Sequence, residues 1–173
     1  MPKAWKNKGK TWSDPNKEEK PLKKKDIPKW LIIDEEDVLK IARDLVDKHH
    51  NKRCMVQFKD IGFLWNMKGF SGSVAGKCSL VSDAYRTFFK NPVHFVVQLD
   101  FPKFQDLTPD QQVAIIDHEL CHIDYNEDEK TGDLKPKIRT RDSEEFCEIV
   151  DRHGAWTPAL QLMEKILARK KER

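Results

Sequence analysis

The chain has 173 residues, 38% of them hydrophobic and 35% charged, with a formal net charge of +3. That length suits one ordinary domain with tails, and no stretch approaches the roughly 18 consecutive apolar residues of a membrane span. The +3 is unevenly spread, with +6 on residues 1–30, +3 on residues 161–173 and −6 between them, which excludes a uniformly basic nucleic-acid-binding domain.

Residues 1–28 are rich in Lys, Asn and Pro and lack hydrophobic periodicity, so they are expected to be a flexible basic arm. Trp5 and Trp12 stand among its lysines, and Trp30 follows; the arm reads either as a solubilising segment with Trp30 packed on the domain edge or as one whose aromatics stack on nucleic acid or a partner. Residues 29–173 form the expected domain. Asp34 to His50 reads as a helix, with Val38, Ile41, Ala42 and Leu45 on one face and acids in the first turn. Cys54, Val56 and Phe58 alternate, which predicts a strand over 54–58. Residues 61–82 predict a strand and a hairpin. Val93, Phe95, Val97, Leu99 and Phe101 alternate with more polar neighbours and predict a strand over 93–101.

Thr108 suits a helix cap, Pro109 its first position and Gln111 a capping box, so a helix is expected from Pro109 to about Tyr125. A polar loop from Asn126 to Lys137 follows. Further helices are expected over about 142–152 and from Thr157 onwards, the last with Leu160, Leu162, Met163, Ile166 and Leu167 as its apolar positions. Gly72 to Cys78 superficially resembles a phosphate loop, but its spacing is GxxxGK rather than GxxxxGK and Cys78 stands where Ser or Thr is needed.

The chemistry concentrates in His118-Glu119-Leu120-Cys121-His122, an HExxH motif. Histidines at i and i+4 share one helical face, so both imidazoles can reach one Zn²⁺. Glu119 can reach a water at such a metal and take its proton without itself being a ligand. A catalytic zinc takes three protein ligands and keeps one position open. Glu145, Asp142 and His153 are the candidates for the third place, because they fall on or beside the Asp142–Phe146–Ile149–His153 stripe. His153 or Arg152 is also placed to stabilise an oxyanion. Cys121 points off the histidine face and suits packing.

His118 to Ile123, the charged insert, Arg141 to Phe146 and Arg152 to Trp156 together resemble the family called "Putative phage metallopeptidase", small HExxH zincins distantly similar to SprT-like proteases. The resemblance runs from about Asp34 to Trp156. It implies an α+β, zincin-like fold: a small, mostly antiparallel sheet packed against an active-site helix and flanking helices. It implies a zinc-dependent metallopeptidase with His118, His122 and Glu145 as metal ligands, Asp142 as the alternative third ligand, and Glu119 as general base. Arg141 stands where the family pattern has His, so if that His is a ligand in relatives this chain either substitutes a carboxylate or lacks tight zinc, whereas Arg141 does no harm if Glu145 is the ligand.

The expected partners are a protein or peptide substrate and, through the Lys-rich arm, nucleic acid, with no membrane. The resemblance gives the strand over 93–101 two readings, a sheet edge with which an extended peptide pairs or a plain core strand. The four cysteines stand far apart with no CxxC pair, and the first ten residues lack the apolar core of a secretory signal. Both point to a reducing cytoplasm, that of the host cell for a phage protein. A different class is also consistent with the sequence, namely a weakly catalytic protein that keeps the scaffold to bind or regulate a host protein or DNA.

Overall fold

A computed structural model describes residues 27–88, 93–141 and 145–171, with side chains described through Arg169. Nearly all of the expected arm, and Asp142, lie outside the described residues. The chain runs β1 (Trp30–Ile32), α1 (Glu36–Leu45), a π-turn (Val46–His50), α2 (Asn51–Cys54), β2 (Ile61–Asn66), β3 (Gly76–Leu80), α3 (Asp83–Arg86) and β4 (Phe95–Asp100). It continues through α4 (Phe101–Gln105), α5 (Pro109–Cys121), β5 (Ile123–Glu127), β6 (Leu134–Ile138), α6 (Cys147–His153) and α7 (Pro158–Lys171).

The main sheet has the order β1-β2-β4-β3. β1–β2 and β3–β4 are antiparallel, whereas the central β2–β4 pair is parallel, so the α+β sheet is mixed. β2 and β3 do not form the expected hairpin, because β4 lies between them. β4 carries Phe95, Val97 and Leu99, all fully buried. The most apolar strand takes the middle, where neighbours cover both of its edges. β1 and β3 are therefore the edge strands. Of the two readings of the strand at 93–101, the plain core strand is the one observed, and peptide pairing along it is corrected.

Helices α1 and α5 supply Ala42, Ile116 and Leu120 to the same core as Val46, Val56, Val97 and Leu99. Packing this apolar face against the sheet is what holds the layers together. A small second cluster joins Cys121, Phe146 and Ile149, and Trp156 packs against both clusters.

Four local expectations are corrected. The strand over 54–58 does not form. Met55 takes a left-handed conformation at φ 59°, and the Asn51 side chain donates to the Val56 carbonyl at 3.1 Å. Phe58–Asp60 is a 3₁₀ turn in which Asp60 accepts from the Gln57 N–H at 2.9 Å. The start of α5 is as expected, with Gln111 N–H donating to Thr108 Oγ1 and Thr108 N–H donating to Gln111 Oε1. Its end is earlier, at Cys121, because Ile123 turns into β5 and pairs with Ile138. Thus the expected loop over 126–137 is largely the β5–β6 hairpin. The alternation of Leu134, Pro136 and Ile138 carried that signal. Finally, α6 begins at Cys147, so Glu145 precedes the helix instead of riding on it.

Candidate active site

α5 ends at the site. His122 is its cap residue and keeps helical backbone angles, φ −69° and ψ −19°, so the i, i+4 relation of the two histidines survives the end of the helix. Their ring centroids are 5.1 Å apart. Phe146 packs edge-on against both rings, at 5.5 Å from His118 and 4.8 Å from His122, which limits their rotation. Nδ1 of His122 meets the Arg139 carbonyl oxygen at 2.8 Å. Because a carbonyl only accepts, Nδ1 carries the proton and Nε2 keeps its lone pair. Burial holds His122 below the usual histidine range, so the ring is in the neutral form a metal ligand needs.

Glu145 is 5% exposed and sits in the bend before α6. Its Oε1 contacts Nδ1 of His118 and accepts the Phe146 N–H at 2.8 Å. The structure therefore brings His118, His122 and Glu145 together. Their place depends on the bend at Glu145, not on helical spacing.

Glu119 lies against β3, next to Gly76. It is 3% exposed, and its Oε2 is buried without a hydrogen-bond partner. The Cys78 N–H donates to its carboxylate. Burial pushes the Glu119 carboxyl up to about 7, against the lowering pull of His118. Gly76 makes room for it, since a Cβ there would stand 2.6 Å from Glu119 Oε1 and 2.8 Å from Cγ.

His153 and Arg152 do not join the histidine pair through their bonded atoms. His153 Nε2 meets Asp117 Oδ2 at 2.7 Å, and Arg152 donates to both Asp117 oxygens at 2.8 and 3.0 Å. His50 Nε2 meets Asp117 Oδ1 at 2.7 Å. Asp117 is fully buried. Burial raises its carboxyl, but these three partners outweigh that and hold it well below the usual range. Asp117 thus pins the His118 turn of α5 to the π-turn and to α6. Sequence reading missed it, although an acid between Ile116 and His118 on a buried helix was a signal.

Donor atoms of His50, Asp117 and Cys121 lie within 4.8 Å of one another, but this group does not suit a cation. Arg152 donates to Asp117 and approaches Cys121 Sγ at 3.4 Å, and its guanidinium stays charged. It is a buried ion-pair cluster.

The pattern of the family called "Putative phage metallopeptidase" matches residues 30–168. The chain belongs to that family. No curated protein and no solved structure matches it. Membership in a metallopeptidase family implies a metal ion and protein substrates. Among the described residues no helix is long and apolar enough to cross a membrane.

Proposed function

We propose that this chain is a zinc-dependent metallopeptidase of zincin type, with His118, His122 and Glu145 holding the metal and Glu119 as general base. The observation that carries this reading is the junction of two imidazoles and one carboxylate beside a buried glutamate whose Oε2 has no partner. Two nitrogens and one oxygen are a donor set that zinc accepts, and membership of the family implies a metal. Bound there, zinc would supply a Lewis acid for a peptide carbonyl and lower the pKa of a water.

The chain's own residues do the rest. The Arg139 carbonyl fixes the tautomer of His122, and Glu145 and Phe146 fix the ring of His118. The Glu119 carboxylate takes a proton from the attacking water and returns it to the leaving amine. Its buried setting lifts its affinity for that proton towards neutral pH. β3 suits an extended substrate, because it is the edge strand that lies against Glu119, which its Cys78 N–H meets.

The test is a comparison of Glu119→Gln with His118→Ala. Glu119→Gln should bind one zinc per chain and lose hydrolysis of an unfolded protein substrate by on the order of 1,000-fold. His118→Ala should lose the zinc as well. Hydrolysis that survives Glu119→Gln overturns the assignment.

A second reading has one observation behind it. The charge of Arg141 acts on both His122 and Glu119, and a cation there opposes a metal. On that reading the scaffold binds or regulates a host protein or DNA with little catalysis. A wild-type protein that binds less than stoichiometric zinc at micromolar concentration would select it.

A further inference from the structure

The helix that begins at Glu36 does not run straight to Cys54. Between α1 and α2, Val46–His50 form a π-turn. Such turns are rare within helices and gather at functional sites. This one turns His50 inward onto Asp117 and leaves Lys48 and His49 exposed beside Arg53. With Glu148 and Arg152 from α6, these four residues line a cavity of about 180 Å³. That is the space of roughly six waters at about 30 Å³ each.

The charge in this cavity is not balanced. Glu148 receives both of its ion-pair bonds from Arg139, at 3.1 and 3.0 Å. Arg152 is held by Asp117. Arg53 donates to the main-chain oxygens of Ile123 at 2.7 Å and Leu120 at 3.5 Å, and lies 3.5 Å from His50 Nδ1. Among the described residues neither Lys48 nor Arg53 forms an ion pair. Nε of Arg53 is buried and has no acceptor. Burial, then the charge of Arg152, holds His49 below the usual histidine range against the raising pull of Asp117, and Lys48 adds to the lowering.

We propose that this cavity binds a phosphate-type oxyanion, held by Arg53, Lys48 and His49. A guanidinium is suited to a tetrahedral oxyanion, since its donors are fixed in a fork, and the hydrogen bonds that hold Arg53 to the chain all leave from Nη2. Lys48 adds an exposed point charge on a flexible stem, and His49 adds a ring N–H. The anion is either free phosphate or the phosphodiester of a nucleic-acid strand, which present the same oxygens. The site is separate from the histidine pair at the end of α5 and does not depend on the peptidase reading.

Titration calorimetry of the full chain with inorganic phosphate at low salt tests this, followed by a trinucleotide as the phosphodiester arm. The expected result is one saturable site per chain in either arm. Lys48→Ala should weaken it about fivefold and Arg53→Gln about tenfold, while Lys68→Ala leaves it unchanged. Tighter binding of the trinucleotide assigns the anion to a strand, and equal binding assigns it to free phosphate. Lys48 is exposed, so its variant reports even if Arg53→Gln does not fold. The lysines of residues 1–28 are intact in every variant, so binding to them would not respond to Lys48→Ala. No saturable binding, or binding that is lost in His118→Ala yet indifferent to Lys48→Ala, overturns the proposal.

Discussion

Asp100 shows how one side chain sets the surroundings of the site. It closes β4, and its Oδ1 caps α4 by accepting the Lys103 N–H at 3.0 Å. Its Oδ2 accepts the Phe70 N–H at 2.6 Å and meets Lys103 Nζ at 3.1 Å. It thereby anchors the segment that leads into β3, whose Ala75 carbonyl accepts the Asp100 N–H at 2.8 Å. Burial pushes this carboxyl up, but the donors outweigh it and hold it below the usual value. A depressed folded value means that the stabilisation is complete above the unfolded value and is lost as pH falls through the folded one. Asp100→Ala should cost about 2–3 kcal/mol at neutral pH. In denaturant unfolding, its difference from wild type should shrink once the pH drops below 3.8. A difference that stays constant into acid would show that the carboxylate is not its source. The cap at Thr108 was legible because its partner Gln111 is three residues away, whereas Phe70 is thirty residues from Asp100.

At the scale of elements, β3 is a short strand with a specific task. Its Gly76 allows α5 to bring Glu119 against the sheet edge, and Cys78 supplies an N–H to the carboxylate. Gly76→Ala puts a methyl group where the Glu119 carboxylate lies and should destabilise the fold by about 1–3 kcal/mol through overpacking. In a Glu119→Ala background the same change should cost far less, since the colliding atoms are gone. A double-mutant cycle of unfolding free energies reads this coupling, and additive costs would exclude the contact. The sequence could not assign this role. Gly72 to Cys78 looks like a turn beside a strand, and the glycine that matters is decided by which helix crosses it.

For the molecule as a whole, α7 stands apart from the core. Leu162 is 60% exposed, Met163 47%, Ile166 46% and Leu167 58%, so its apolar stripe buries little against the domain. Ending the chain after Thr157, which keeps Trp156 on the two core clusters, should change the unfolding free energy by no more than about 1 kcal/mol. The helical circular-dichroism signal should fall at the same time. A loss of cooperative unfolding in the truncated chain would show that α7 packs on the domain. The apolar periodicity of this helix was plain in the sequence, but periodicity says which side of a helix is apolar and not whether anything covers it.

The sequence by itself determined what is local. The HExxH spacing places two imidazoles one helical turn apart wherever the helix goes, and the Thr108 capping box fixes where that helix starts. It also carried the family, whose pattern spans residues 30–168, and the strong strand that became β4. Tertiary structure decided what depends on distant partners. It placed β4 inside the sheet and β3 at the edge, because burial on both sides rewards the most apolar strand. It moved Glu145 onto His118 through a bend, stopped α5 at Cys121 so that Ile123 could pair with Ile138, and made Asp117 the hub of three elements. Each of these choices turns on free energies of burial and pairing between residues far apart in the chain, and no window of sequence contains both halves of such a contact.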